Sequence, residues 1–262
     1  MNKNFLIFLT GIFLRFKQIR EYSINLYLGI LSNLTFMTIL IFSYSILKVK
    51  FSEIFYWSWT EYIFFMFLLE IFLFLFAVWF TSFRSVLLSG ELNTYLTKPV
   101  NTILYYVIRH MKIWQFTVGI CYLVLFIIYL MFFIPEINIS RFLISIIFSI
   151  FGGILLLFIS SFNEFISFFF KDNRFVKDPF FTMSMTYSYY PFSFFNGNFI
   201  KLLGFLMPLS FYAVISTDYY FGYINFLELL NYFYILLGLI VFFSLSSYFL
   251  WKIGIKKYEA YG

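Results

Sequence analysis

Thiols, imidazoles and charges are scarce in this chain. Among 262 residues Cys121 is the one cysteine, so no intrachain disulfide is possible. His110 is the one histidine, and no H-E-x-x-H or Cys/His cluster occurs, which argues against a metal site. None of the twelve glycines falls in a G-x-x-x-x-G-K-[ST] phosphate loop. ATP hydrolysis by that machinery is excluded, and no cofactor is expected on the chain itself. Charged residues make up only 11%, too few to cover a soluble domain of this length. No linker, low-complexity tail or internal repeat is visible, so inverted-repeat transporter architectures gain no support. Without a constellation of His, Asp or Cys, an acyl- or glycosyl-transfer enzyme is the weakest functional reading.

What the chain has is apolar. It is 63% hydrophobic and 27% aromatic, with 44 Phe and 22 Tyr and a mean hydropathy of +0.91. Repeated apolar runs of about 18 residues or more read as transmembrane helices. The fold class is therefore an all-α polytopic membrane protein, a single transmembrane domain over 1–262. Spans are expected at Ile24–Leu47, Tyr62–Phe83, Ile113–Ile134, from just after Arg141 to about Phe170, and Tyr232–Trp251. The nearly uncharged stretch from Pro179 to Thr217 is too long for one span and barely long enough for two.

Charge resolves that stretch. The net +6 is no sign of nucleic-acid binding, because the bases sit at span ends. Lys3, Arg15, Lys17, Arg20, Arg84, Lys98, Arg109, Lys112, Lys171, Arg174, Lys177, Lys252, Lys256 and Lys257 fall on one side. Only Lys48, Lys50, Arg141 and Lys201 fall on the other. Fourteen against four is a positive-inside bias that places both termini in the cytoplasm and requires an even number of spans. Six transmembrane helices fit. Pro179 to about Phe195 becomes the fifth, Asn196-Gly197-Asn198 turns the chain, and residues 196–217 form an extracytoplasmic re-entrant element broken at Pro208. Re-entrant helices between spans five and six are tolerated only where they pack in protein or line a cavity. Trp57 and Trp59 mark an outer aromatic belt, and Trp79, Trp114 and Trp251 an inner one.

At the N-terminus, Phe5, Phe8, Leu9, Ile12, Phe16 and Ile19 recur at helical spacing. Residues 4–20 read as an interfacial amphipathic helix on membrane lipid, or as the uncleaved start of the first span. Signal-peptide cleavage is not expected, because Arg15, Lys17 and Arg20 follow directly.

Two features carry function. Glu70 lies mid-span, where a carboxylate costs several kcal/mol unless paired, protonated or facing water. It either lines a pathway, touching a cationic substrate or coupling to ions, or is a protonated structural group bonded to a neighbouring helix. Glu164, nearer the inner end of the fourth span, reads as an interhelical or interfacial group. Gly152-Gly153 reads as a close helix approach. The second feature is the polar island 84–112, R-S-V-L-L-S-G-E-L-N-T-Y-L-T-K-P-V-N-T-I-L-Y-Y-V-I-R-H-M-K. Gly90 breaks the chain there. Glu91, Leu92, Tyr95 and Leu96 form one mixed face of a short helix, and Lys98-Pro99 ends it. Such a segment is either a docking surface for a soluble partner or a plain reconnection of two spans. His110 reads as an interfacial polar residue.

The island resembles the coupling segment of type-2 ATP-binding-cassette permeases. It is closest to a six-span subgroup with an R-x-G-x-L/I-D-x-x-L-x-K/R-P-type pattern, here Arg84, Gly90, Glu91, Leu92, Leu96, Lys98 and Pro99. W-S-W-T-E-Y at Trp57–Tyr62 and the segments Y-P-F-S-F-F-N-G and F-I-K-L-L-G-F-L-M-P-L-S-F-Y also resemble that family, while Asn93 departs from it. The resemblance implies the membrane subunit of an exporter in a bacterial plasma membrane. A second permease subunit, identical or paralogous, would complete the pathway for an amphipathic or hydrophobic cargo. A separate cytoplasmic ATP-binding-cassette ATPase, carrying ATP and Mg, would dock at Gly90 to Pro99 and touch the N-terminal helix. The alternative is an ATP-independent secondary transporter or channel that uses Glu70 for ion coupling.

Overall fold

The structure, a computed structural model, describes residues 3–21, 23–51, 56–170, 189 and 211–258. In chain order the helices are α1 (Lys3–Glu21), α2 (Ser23–Lys50), α3 (Trp59–Phe76), α4 (Phe83–Leu88), α5 (Glu91–Leu96), α6 (Thr102–His110), α7 (Ile113–Phe133), α8 (Ile139–Phe165), α9 (Phe211–Phe221) and α10 (Phe226–Lys257). A single 3-10 turn, Ile166–Phe168, extends α8. No strand occurs among the described residues. Five described helices, α2, α3, α7, α8 and α10, are long and apolar enough to cross a membrane. The expected fifth span lies outside the described residues apart from Tyr189. So do Asn196, Gly197 and Pro208, named above for the re-entrant element.

Local sequence explains most helix starts. Ser58 and Glu61 form a reciprocal capping box at the head of α3, and Asn225 and Glu228 do the same for α10. The side chains of Asn138 and Asn101 cap α8 and α6.

Helix α8 is the hub, packing on α3, α9 and α10. Its Ser145, Ser149, Gly152 and Gly153 recur at i, i+4, i+7 and i+8, one face of a helix. That stripe lets neighbouring backbones come close. Ser145 Oγ donates to Ser216 O at 3.0 Å, Ser216 Oγ donates back to Ser145 O at 3.0 Å, and Ser149 Oγ lies 2.8 Å from Ser216 Oγ. Gly152 faces Tyr212 and Gly153 faces the Phe76 ring, the close approach expected of that pair. Helix α9 has eleven residues, so it rises roughly 16 Å, about half a hydrocarbon core. It runs from the middle of α3, where the Tyr212 hydroxyl donates to Leu69 O, to the end that holds Trp57.

Sequence and structure part at the end of the second span, at Trp57 and at the last span, expected over Tyr232–Trp251 but observed over Phe226–Lys257. The second span was expected to reach Phe83, but α3 ends at Phe76 with Ala77 as its C-cap. The Trp79 indole N–H donates back to Leu75 O at 2.7 Å, and Ser82 adopts φ 62°, so the chain leaves the span and restarts as α4. Trp57 is not a lipid-facing belt residue. It is 0% exposed, and its indole N–H donates to Asp218 at 2.8 Å. Tyr56 donates to the same oxygen at 2.7 Å, so α9 is pinned beside the head of α3. Trp59 remains half exposed.

Candidate functional site

At the basic end of the bundle, α4, α5 and α6 make a compact cap over the ends of α8 and α10. Phe83, Val86, Leu87, Leu92, Tyr95, Tyr106, Val107 and Phe165 form one buried cluster, with Trp251 and Phe168 against it. Gly90 has φ 73°, a left-handed conformation that glycine adopts without steric cost. It turns the chain sharply between α4 and α5. Glu164 reaches across from α8, and its Oε2 accepts the Phe83 N–H at 2.8 Å. That carboxylate meets an unsatisfied donor at the start of α4 and fixes where the island leaves the membrane.

The face expected from Glu91, Leu92, Tyr95 and Leu96 divides in two. Leu92 is 0% exposed and Tyr95 is buried, whereas Leu96 is 41% exposed. Asn93, Thr94, Thr97, Lys98 and Pro99 are exposed as well. The inner side of α5 therefore belongs to the protein's own core, and Leu96 to Pro99 face outwards.

His110, taken from the sequence as an interfacial residue, belongs to a hydrogen-bond chain. The Tyr95 hydroxyl donates to Glu91 Oε2 at 2.6 Å and lies 2.8 Å from His110 Nε2. With the hydroxyl proton directed at Glu91, His110 Nε2 supplies the donor to Tyr95. Thr81 Oγ1 donates to His110 O at 2.8 Å, and Tyr106 donates to Thr81 O at 2.6 Å. The start of α4, the end of α6 and α5 are thus tied together. Burial lowers the His110 pKa, Arg109 and Arg15 add to that, and Glu91 opposes it.

Helix α1 packs on α6 and α7. Gly11 lies against Ile108, Phe8 stacks on Trp79, and Phe16 meets Phe116 edge-on. The Arg15 Nε–H donates to Ile108 O at 3.0 Å. Leu6, Leu9, Phe13 and Leu14 are left exposed on another face, so the helix has one apolar face for protein and one uncovered.

A second feature lies deeper. A cavity of about 520 Å³ runs from Glu70 on α3 past Leu73, Phe74 and Ala77 to Thr81, Ser82 and Lys112 at the basic end. Glu70 is 3% exposed and hydrogen-bonds the Tyr189 side chain. Glu164 lines the same cavity, so the two intramembrane acids meet one space. Segments distant in sequence, from α2, α3, the head of α7, α8 and Tyr189, build it, and no local pattern would have shown it. Among the described residues no group of three or more His, Cys, Asp or Glu could hold a metal ion.

A family model described as ABC-2 family transporter protein matches residues 34–262. The chain belongs to the ABC-2 transporter family. It is accordingly a multi-pass membrane protein and a transport component. No curated protein and no solved structure matches it. In this ABC-2 chain the matched region takes in the island, the cavity apart from Asn33, and every described membrane-length helix except the start of α2.

Proposed function

We propose that this ABC-2 chain is the membrane-spanning subunit of an ATP-driven exporter, powered by a separate cytoplasmic ATPase. It would pair with a second permease subunit and move an amphipathic or hydrophobic cargo. The observation that carries this reading is the cap at the basic end. Its inner side is locked into the protein core through Leu92, Tyr95 and Glu164, and its outer side presents Leu96 to Pro99. A short segment built in this way passes a push from a docked partner to α3, α7 and α8 as a rigid body. That the sequence holds no phosphate-binding loop supports a driving nucleotide carried by a separate subunit.

The positive-inside bias supports a cytoplasmic position for this cap and for both termini in a bacterial plasma membrane. The contact set we assign is Gly90, Glu91, Leu96, Lys98 and Pro99, with Leu92 and Tyr95 holding it from beneath. The hollow between α1 and α6, walled by Arg15, Glu91, Arg109 and His110, would extend the docking surface to the N-terminal helix.

The test is ATP-dependent transport by the reconstituted chain with and without the ATPase that accompanies it. Accumulation that needs both ATP and the second protein supports the reading. Transport by the chain alone, driven by an ion gradient and abolished in Glu70→Gln, would replace it with a secondary transporter.

A further inference from the structure

The cavity beside Glu70 couples a buried carboxyl to a wall of aromatic rings. Phe36, Phe74, Phe80, Trp114 and Tyr189 all line it. The geometry points to a hydrophobic organic cation as its ligand, with an amine or quaternary ammonium group at Glu70 and an apolar body among the rings. This inference rests on the transport reading above and names the cargo class of that pathway.

Charge sets the sign of the ligand. The ionisable lining residues of ordinary charge are Glu70, Glu164 and Lys112. Glu164 already accepts the Phe83 N–H, and it shares the basic end of the cavity with Lys112, where the two opposite charges offset one another. Glu70 stands apart, mid-span and two turns of α3 above Ala77, so the deep end of the cavity holds a carboxyl group that a bound cation would keep in its charged form. Ring faces carry negative quadrupole charge and attract cations, quaternary ammonium groups above all. An anionic ligand would find no counter-charge at the deep end and would meet the negative faces of the rings.

Other cations fit less well. A hard metal ion takes six or more oxygen ligands. Here Glu70, joined to Tyr189, is the one carboxyl at the deep end, and the other polar lining groups there and below, among them Asn33, Gln115, Ser160 and Asn163, are uncharged. An organic cation needs one counter-charge and contact surface, and both are present.

The volume, about 520 Å³, lies in the range of sites for small molecules rather than polymers. Ser82 and Lys112 at one end of it are exposed, so a ligand has a way in from the basic end.

The experiment is binding of radiolabelled tetraphenylphosphonium to the full chain in lipid nanodiscs, with empty nanodiscs as background and no ATPase present. Saturable binding is expected, displaced far better by unlabelled tetraphenylphosphonium than by tetraphenylborate, an anion of the same shape. Glu70→Gln should weaken it at least tenfold. Glu70→Asp should keep most of it, and Trp114→Ala should weaken it severalfold with thermal stability close to wild type. Should Glu70→Gln fail to fold, the Glu70→Asp and Trp114→Ala pair decides. No saturable binding, equal competition by the anion, or undiminished binding in a folded Glu70→Gln variant would overturn the proposal. ATPase-dependent transport without cation binding would remove this ligand class and leave the exporter reading standing. Cation binding by a chain that works with no ATPase would do the reverse.

Discussion

Substituting Gly152 by alanine sets a bulk change against a packing that has no slack. A Cβ built at Gly152 lies 2.1 Å from the Tyr212 Cβ and 2.4 Å from its Cγ. Carbon atoms in contact sit about 3.5–4.0 Å apart, so α8 and α9 would have to separate by more than about 1 Å. Tyr212 cannot swing away, because the obstructing atom is its own Cβ, the residue is fully buried, and its hydroxyl is bonded to Leu69 O. Overpacking of this kind costs about 1–3 kcal/mol. Separation also strains the Ser145, Ser149 and Ser216 hydrogen bonds, each worth about 0.5–1.5 kcal/mol. The expected loss for Gly152→Ala is therefore about 3 kcal/mol. The matched control is Gly238→Ala on α10, where a Cβ meets nothing within 4 Å and no loss is expected. Thermal unfolding of both variants in the same nanodiscs measures the difference. Equal melting temperatures for Gly152→Ala and wild type would refute the α8–α9 packing on which the buried half-helix rests.

Three further outcomes follow from the same structure. Gly90→Ala places a side chain at φ 73° and should cost about 1 kcal/mol, read as a lower melting temperature of the folded chain with its membrane insertion unchanged. His110 has a depressed pKa in the fold, so stability is full above its unfolded value near 6.5 and falls as pH drops through and below it. Glu91, Glu164, Tyr95, Tyr106, Arg15 and Arg109 surround the ring, and melting curves between pH 7.5 and 5.5 should show a shallower fall for His110→Gln than for wild type. Asp218→Ala leaves the buried Trp57 N–H and the Tyr56 hydroxyl without their acceptor. It should cost about 3 kcal/mol by thermal unfolding, and a loss under about 1 kcal/mol would contradict that anchoring role.

The spans were legible because hydrophobic run length is set by bilayer thickness and needs no tertiary knowledge. Helix starts were read less closely: the second, fourth and last spans were expected from Tyr62, after Arg141 and from Tyr232, whereas α3, α8 and α10 begin at Trp59, Ile139 and Phe226, directly behind the caps at Ser58, Asn138 and Asn225. The end of α3 was not legible. Residues 77–80 stay apolar and contain no Gly or Pro, so nothing local marks the stop at Ala77. Trp57 and Trp59 look alike in sequence, yet only one finds Asp218, which is 161 residues away. Leu92 and Leu96 share a helical face by spacing, but α5 has only six residues, and Leu92 at its start enters the core while Leu96 at its end is exposed. Glu70 announced itself by its position in an apolar run. The cavity it faces did not, because α2, α3, α7 and α8 each supply only a part of its wall.

The most direct test of the exporter account is to isolate the tagged chain from its native membrane and identify what co-elutes. Leu96→Asp changes the exposed side of α5 and spares its buried side, so the chain should stay folded and inserted. The account predicts a soluble ATPase carrying a phosphate-binding loop in the wild-type eluate, and its loss from the Leu96→Asp eluate. A wild-type eluate with no ATPase, or an ATPase retained undiminished by Leu96→Asp, would contradict it.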